Sequence, residues 1–403
     1  MTIVIADDIT GAAEICGIAL CYGLKTSLLT EVNDGGLSEC DVCVIATDTR
    51  SSNAAEAIAE HTGICRVISK IRQCRPDMKL CIFKKTDSAL RGHILDEISA
   101  AKDVLSFSNC LLIPQNPTKE RVIDKGVYKI DGVPIHETPF SFDPEYPAAT
   151  SVASDILNRN SSRGLPVENL YLDASIESGK TYIADAVSLS DIERQLLKAD
   201  GNTLLAGGAD FFSVILSLLH NKKRTVCRGT LSRLQDAMSL NTCKTDAGKI
   251  IIACGSTQSK PVLNEPLMRI ADSAEINVPL SLPEGKDAHA WINEACIAYH
   301  KNDILVIGVE NHKVMGADYA RRIKKLMAET ASMLAGETMP AALIIEGGAT
   351  AFAILSELRW NRFAVEVQFS PGVIGIRPVS TGKCPLVVLK PGSYPWGKLF
   401  ETS

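Results

Sequence analysis

Two short segments carry most of the side chains that could do chemistry. Residues 6–12 read ADDITGA and place the adjacent carboxylates of Asp7 and Asp8 directly after an apolar run. Residues 84–92 read KKTDSALRG, so two lysines, an aspartate, a serine and an arginine follow another apolar run. Lys and Arg can hold a substrate carboxylate, while Asp can accept a proton from a hydroxyl. The two segments therefore predict a site for a small hydroxylated anion.

Simpler interpretations exist for each segment. Asp8 or Thr10 could cap the helix that follows, although capping explains one of the paired carboxylates and not both. Residues 84–92 could form a solvated turn with surface ion pairs, which contribute little to stability. Residues 48–51, which read DTRS, end the intervening strand and could add Arg50 to the same crevice.

Short β-branched runs alternate with helical patterns along the chain. In the first 115 residues this rhythm is typical of a parallel sheet covered on both faces, and ligands bind beyond the carboxyl ends of such strands. Residues 114–147 interrupt the rhythm as an irregular segment, with a hairpin predicted around Asp131-Gly132. A second strand and helix series starts near residue 249 and includes helices after Pro261 and Thr350 and a strand over Phe363–Phe369. We therefore predict an α/β protein with two doubly wound, mostly parallel-sheet domains, 1–228 and 248–403, facing each other across a cleft.

Composition narrows the class of protein. The 403 residues include 47 acidic and 42 basic side chains, a formal charge of −5, which argues against a nucleic-acid partner. A hydrophobic fraction of 46% can fill a sizeable core. No apolar run approaches the roughly 18 residues of a membrane span, and no basic leader opens the chain. We expect a cytoplasmic protein with no membrane partner.

Glycine-rich loops punctuate the second series. Gly347 and Gly348 stand between an apolar strand and a helix, where backbone N–H groups can approach a phosphate. Tight turns need glycine for other reasons, so one such loop is a weak signal. Several glycine-rich loops at strand ends in one domain favour phosphate binding.

The motifs together resemble the four-carbon acid sugar kinase family. Residues 6–12 are similar to that family's ADDLTGA, residues 85–92 to its KIDSTLRG, and residues 134–144 to its PLxET…DP stretch. The resemblance extends across essentially the whole chain. It implies ATP-dependent phosphorylation, with Mg²⁺, of threonate, erythronate or an oxo-tetronate, an amino-terminal domain for the acid sugar, and a carboxyl-terminal domain for ATP.

The resemblance also implies residue roles. The sugar site would be lined by charged and hydroxyl side chains: Asp7, Asp8, Arg50, Lys85, Asp87, Ser88 and Arg91. The nucleotide would be bound by small and polar residues: Ser256, Gln258, Gly347, Gly348, Ala349, Thr350 and Gly392. Three of these positions depart from the family pattern. Ala349 replaces the acidic residue of GG[DE]T, Gln258 stands near a usual serine, and residues 392–395 read GSYP instead of GNFG.

Our catalytic hypothesis names Asp87, Asp8 and Arg91. Arg91 and Lys85 would grip the carboxylate or hydroxyls, while Asp87 or Asp8 receives the hydroxyl proton or helps to hold the metal. The sequence ranks neither aspartate and identifies no metal ligand. A metal-dependent sugar-acid lyase or isomerase, and a noncatalytic sensor of nucleotide or sugar acid, remain alternatives. We expect phosphorylation at a terminal hydroxyl, with a lean towards D-threonate, and a homodimer.

Overall fold

The structure, a computed structural model, describes most of the chain. The described residues are 1–32, 39–143, 145–164, 166–220, 248–255, 271–279, 286–309, 317–379, 384–392, 394–397 and 399–401, with 234, 265 and 268. They divide into two units, Met1–Leu24 with Glu31–Thr225, and Lys25–Thr30 with Val226–Ser403. The predicted domain boundary between 228 and 248 falls mainly on residues outside the described ones, and it stays a prediction.

Eighteen strands and nine α-helices are described. The strands are β1 (Thr2–Ala6), β2 (Thr26–Leu29), β3 (Val42–Ala46), β4 (Cys81–Lys85), β5 (Asn109–Ile113), β6 (Arg121–Asp124), β7 (Val127–Ile130), β8 (Val133–Pro134), β9 (Val167–Leu170), β10 (Thr181–Ala184), β11 (Thr203–Gly207), β12 (Ile250–Cys254), β13 (Ser273–Val278), β14 (Ile304–Val309), β15 (Ala342–Glu346), β16 (Arg362–Ser370), β17 (Val373–Pro378) and β18 (Leu386–Lys390). The helices are α1 (Ile9–Cys21), α2 (Ala54–Cys74), α3 (Ile94–Leu105), α4 (Ala153–Arg159), α5 (Leu189–Leu196), α6 (Ala209–His220), α7 (Lys286–Lys301), α8 (Ala317–Glu337) and α9 (Gly348–Glu357).

The first unit is built on a parallel sheet. Its strands follow the order β3-β1-β4-β11-β5-β10-β9, and each neighbouring pair is parallel. The apolar run of β1 is buried on both faces, since Ile3, Val4 and Ile5 are at most 1% exposed. Strand β1 lies between β3 and β4, with Ala6 opposite both Ala46 and Lys85. The chain segments after these three strands therefore emerge side by side.

The irregular segment 114–147 contains a sheet of its own. Strands β6, β7 and β8 pair antiparallel. The predicted hairpin between β7 and β8 is confirmed: Asp131 and Gly132 have φ values of 52° and 79°, the left-handed pair that a two-residue hairpin turn requires. The segment is thus a structured addition to the first unit.

The second unit combines parallel and antiparallel strands. Strands β13-β14-β12-β15-β18 are parallel, while β17, β16 and β2 continue the order in antiparallel pairs. Its core includes Ile252, Val306, Ile344 and Val388, each at most 1% exposed. The α/β class with mostly parallel pairing is confirmed. The strand predicted over Phe363–Phe369 is present as β16, but its antiparallel pairing was not predicted. Strands β17 and β2 were not predicted either, and β2 comes from the chain between α1 and β3.

Two predicted helices of the second unit have different outcomes. The helix predicted after Thr350 begins earlier, at Gly348, because Gly347 already supplies the turn. The helix predicted after Pro261 lies largely outside the described residues, and the cleft stays a prediction. None of the described helices is both long and apolar enough to cross a lipid bilayer.

Candidate functional site

The first loop combines a helix cap with a charge pair. Asp8 caps α1, because its Oδ1 accepts a hydrogen bond of 2.7 Å from the Gly11 N–H, and Thr10 donates its hydroxyl to Oδ2. A Cβ at Gly11 would lie 2.7 Å from Asp8 Oδ1 and 3.2 Å from Lys85 Nζ, so a larger residue there would displace the carboxylate that caps the helix. The capping interpretation is right for Asp8, yet it is incomplete because the same carboxylate also binds Arg50.

Arg50 clamps the two adjacent carboxylates. It lies in a short 3₁₀ turn, Thr49–Ser51, just after β3. Its Nε and Nη2 donate to Asp7 Oδ2 at 2.9 and 2.8 Å, and Nη1 donates to Asp8 Oδ2 at 2.9 Å. The same Nη1 lies 3.6 Å from Asp87 Oδ1. One guanidinium thus joins the loops that follow all three neighbouring strands.

The third loop is organised around Asp87. Arg91 approaches it as a fork, with Nε donating to Oδ2 and Nη2 to Oδ1, both at 2.9 Å. The backbone N–H groups of Ala89 and Arg91 also donate to Oδ2, at 3.0 and 3.2 Å. Arg91 Nη1 reaches Asp143 Oδ2 at 3.3 Å. Asp87 is only 6% exposed, so this loop is held rigidly by charged hydrogen bonds.

The three aspartates differ in pKa. Burial raises the pKa of Asp7, and Arg50 counteracts this only in part. Burial also acts to raise the pKa of Asp8, but Arg50 and the Thr10 hydroxyl hold it below its usual range. Burial is likewise outweighed at Asp87, where Arg50 and Arg91 hold the pKa well below its usual range. Asp8 and Asp87 are therefore ionised at neutral pH.

The remaining predicted residues of the first unit lie around this cluster. Lys85 Nζ donates to the Thr86 carbonyl at 2.9 Å and lies 3.8 Å from Glu14 Oε2. The Ser88 hydroxyl accepts a hydrogen bond from Arg121, and the Ser88 carbonyl accepts one from the Tyr128 hydroxyl. The structure thus brings together all seven residues assigned to the sugar site.

Five of the residues predicted to bind the nucleotide are described, and all five lie in the second unit. Gly347, Gly348, Ala349 and Thr350 follow β15, and Gly392 follows the neighbouring strand β18. The Gly347 N–H donates to the Lys390 carbonyl at 2.9 Å, which joins the two loops. Ser256 and Gln258 lie outside the described residues, although Gly255 beside them packs so closely that a Cβ there would lie 1.9 Å from Thr350 Oγ1.

The start of α9 fits a phosphate. Gly347 occupies the N-cap with φ of +97°, and the first turn holds no acidic residue. No side chain of the described residues caps the helix, and the N–H groups of that turn lie at the positive end of the helix dipole. The buried carboxylate of Glu346 just before it is ion-paired with Lys390.

Comparison with known proteins identifies the family of the chain. Residues 2–215 match the model of the family described as "Sugar-binding N-terminal domain". The chain belongs to this sugar-binding family. The family resemblance read from the motifs is confirmed.

Two relatives and one solved structure extend this. The chain is 24% identical to a 3-oxo-tetronate kinase of Methylobacterium radiotolerans over 97% of this chain and 95% of that protein. It is 29% identical to a D-threonate kinase of Salmonella typhimurium, but over 42% of this chain and only 38% of that protein. The fold is similar to that of the Haemophilus influenzae protein HI1011, with a TM-score of 0.69 and 18% identity over 99% of this chain and 98% of that one.

Several residues around the cluster of Asp7, Arg50 and Asp87 were not predicted from the sequence. The small sheet and the turns after it bring Arg121, Tyr128, Phe140 and Asp143 to the loop of Asp87 and Arg91. Phe140 and Asp143 stood in the motif of residues 134–144, which was the one available signal. Arg121 and Tyr128 lie in short strands that carry no helical periodicity, so their side-chain directions depended on the tertiary fold.

A buried ion pair between Lys84 and Glu97 stabilises the loops of the cluster. Lys84 Nζ and Glu97 Oε2 lie 2.9 Å apart and both side chains are 1% exposed. Thr49 Oγ1 donates to Glu97 Oε1 at 2.6 Å, and Lys84 Nζ donates to the Lys85 carbonyl at 2.9 Å. Because Thr49 precedes Arg50 and Lys84 precedes Lys85, this pair fixes two of the three loops. Glu97 among the apolar positions of α3 was the sequence signal for it.

His61 makes the stability of the first unit depend on pH. It is fully buried, its Nε2 lies 3.7 Å from Glu97 Oε2, and burial lowers its pKa to about 4. The unfolded chain binds this proton near pH 6.5 and the folded chain near pH 4. The stability that the neutral, buried His61 contributes is therefore complete above pH 6.5. It declines by on the order of 3 kcal/mol as the pH falls towards 4.

We expect the melting temperature of the wild-type chain to fall more steeply from pH 7 to 4.5 than that of His61→Gln. Other groups titrate in both proteins, so the difference between the two melting curves isolates His61. Thermal unfolding followed by circular dichroism measures it. Parallel pH profiles would show that His61 does not stay neutral in the fold.

Proposed function

We propose that this chain transfers the γ-phosphate of ATP to a hydroxyl of a four-carbon acid sugar. The observation that carries the proposal is the convergence of Asp7, Asp8, Arg50, Asp87 and Arg91 within a sugar-binding family match. The names of the full-length relatives support a kinase acting on a small acid. We propose a terminal hydroxyl as the acceptor, and D-threonate as the first acid to test.

Two of the aspartates could hold the acceptor hydroxyl. Asp7 Oδ1 is buried and accepts no hydrogen bond from the described residues, so it offers an acceptor to a substrate hydroxyl. A carboxylate with a strongly depressed pKa is a weak base, which suits Asp87 to orienting the hydroxyl. In a loose phosphoryl-transfer transition state little base catalysis is needed, and positioning supplies most of the rate.

ATP would be held in the second unit. The uncapped first turn of α9, with Gly347, Gly348, Ala349 and Thr350, can bind phosphate oxygens through backbone N–H groups. When bound, ATP supplies the phosphoryl group. No group of three His, Cys, Asp or Glu side chains in the described part of the chain is placed to hold a metal alone. Mg²⁺ would therefore arrive with the nucleotide, as is usual for this ion.

The test is ADP release with a panel of acids. Wild-type protein is incubated with ATP and Mg²⁺ together with D-threonate, D-erythronate or 3-oxo-tetronate, and ADP and the phosphorylated acid are quantified by mass spectrometry. We expect one acid to give equal amounts of both products, with little ADP released when acid is omitted. Consumption of an acid without ATP would favour the lyase, and binding of an acid without any turnover would favour the sensor.

Gly347 provides a test of the nucleotide site. Its φ of +97° is strained for any other residue, so Gly347→Ala should shift the first N–H groups of α9. We expect the KM for ATP to rise roughly 10-fold or more while the KM for the acid stays within about twofold. Gly336→Ala is the control, because Gly336 lies in α8 and a Cβ there meets no atom within 4 Å. An unchanged KM for ATP in Gly347→Ala would show that the nucleotide does not bind at the start of α9.

A further inference from the structure

The cations that the motifs single out are already paired within the protein. Arg50 binds Asp7 and Asp8, and Arg91 binds Asp87 and Asp143. Lys85 lies 3.8 Å from Glu14, which also binds Lys119 at 2.6 Å. A substrate carboxylate would have to compete with a protein carboxylate at each of these three side chains. The cluster therefore needs another cation if it is to recognise an acid.

Arg121 is a cation of a different kind. It is the first residue of β6 and half-buried, and its Nη1 donates to the Ser88 hydroxyl. Within the described residues no carboxylate lies within 4.0 Å of its guanidinium nitrogens. Its charge is thus removed from part of its water without an ionic partner, which leaves it free to pair with an incoming anion.

The position of Arg121 places it at the loop of Asp87. Ser88, which receives the Arg121 hydrogen bond, directly follows Asp87 in the chain. The Tyr128 hydroxyl donates to the Ser88 carbonyl, so strands β6 and β7 are both tied to this loop. Arg121 is therefore a fixed neighbour of the loop.

Phe140 holds the guanidinium from another side. The Arg121 Cζ lies 5.6 Å from the centre of the Phe140 ring, and the Arg91 Cζ lies at the same distance. A guanidinium packed on an aromatic ring keeps its N–H edge available for hydrogen bonds in its own plane. One ring thus positions two arginines: Arg91 is paired with Asp87, whereas Arg121 has no carboxylate partner among the described residues.

We propose that Arg121 binds the carboxylate of the acid sugar, and that the small sheet β6-β7-β8 thereby makes the site selective for acids over neutral sugars. The proposal rests on the proposed function. It gives Arg121 the role that the sequence motifs suggested for Arg91 and Lys85. A planar fork matches a carboxylate in two hydrogen bonds, and the neighbouring Ser88 hydroxyl can add a third.

The test compares Arg121→Gln with wild type on an acid and on its neutral analogue. We expect the KM and the calorimetric Kd for D-threonate or D-erythronate to rise roughly 10- to 100-fold, because a charge-assisted contact is lost. The values for threitol or erythritol, which carry a hydroxymethyl group in place of the carboxylate, should not change. The KM for ATP should also stay constant. Arg163→Gln is the matched control, since that arginine is exposed and binds Ser99.

The outcomes separate the two proposals. Turnover of an acid by wild type with unchanged KM in Arg121→Gln, or a rise confined to the KM for ATP, overturns the role of Arg121 and leaves the kinase intact. Arg121-dependent binding of an acid without turnover keeps the role and overturns the kinase. If Arg121→Gln does not fold, Arg121→Lys decides: a single ammonium lacks the fork, so we expect a loss of roughly 10-fold in acid affinity, and wild-type affinity would overturn the proposal.

Discussion

Arg50→Gln should lower both the free energy of unfolding and the activity of the protein. Arg50 makes three hydrogen bonds of 2.8 to 2.9 Å to the carboxylates of Asp7 and Asp8. Removing it leaves the side chain of Asp7, which is 2% exposed, without its ionic partner. Breaking a buried ion pair from one side costs about 3–5 kcal/mol. We expect a loss of this order in the free energy of unfolding, measured by urea titration at pH 7.5.

The pH dependence of this variant provides its control. Without Arg50 the pKa of Asp7, which burial already raises, rises further. A carboxyl whose folded pKa is raised contributes stability that is complete below its unfolded pKa of about 3.8 and is lost as the pH rises through its folded pKa. Arg50→Gln should therefore become more stable as the pH falls from 8 to 5. Adding Asp7→Asn to Arg50→Gln should restore part of the loss at pH 7.5. Equal stability of wild type and Arg50→Gln at all pH values would show that the clamp carries no structural energy.

Asp87→Asn should lower kcat at least about 100-fold while the KM for the acid changes less than about 10-fold. The asparagine keeps one carbonyl oxygen but loses the charge that holds the Arg91 fork and lies 3.6 Å from Arg50. The loop of residues 86–92 then loses the geometry that orients the acceptor hydroxyl. Steady-state kinetics with the best acid of the panel gives both constants.

Asp143→Asn is the matched control for this variant. Asp143 also binds Arg91, at 3.3 Å, but belongs to the segment after the small sheet. If the effect comes from Asp87 itself, Asp143→Asn should change kcat by only a few fold. Equal losses in both variants would mean that Arg91 is the residue that matters, and normal turnover in Asp87→Asn would transfer the role to Asp8.

The sequence identified the loops of the site because strand ends leave a local signal. Apolar β-branched runs predicted β1, β3 and β4, and the polar residues after them had to meet because parallel strands end at one edge of a sheet. The pattern of strands does not predict which of these side chains pair with each other. That Arg50 spans Asp7 and Asp8, and Arg91 turns back on Asp87, depends on rotamers and packing.

Long-range pairing explains what was missed. Strand β2 pairs with β16 more than 300 residues later, with Leu28 opposite Phe363, and no local pattern announces such a partner. Arg121 and Phe140 reach the site only because β6 to β8 fold back on the loop of Ser88. By contrast, Ala349 was visible as a departure from the family pattern. Its physical meaning, an α9 first turn without an acidic side chain, required the helix start at Gly348.

A crystal structure of the full chain with a four-carbon acid and a non-hydrolysable ATP analogue would locate both ligands. We expect the acid in contact with the loops of Asp7, Arg50 and Asp87, and the phosphates at the start of α9 near Gly347. An acid bound away from those three loops, or phosphates bound anywhere but beside Gly347 and Gly348, would contradict this expectation.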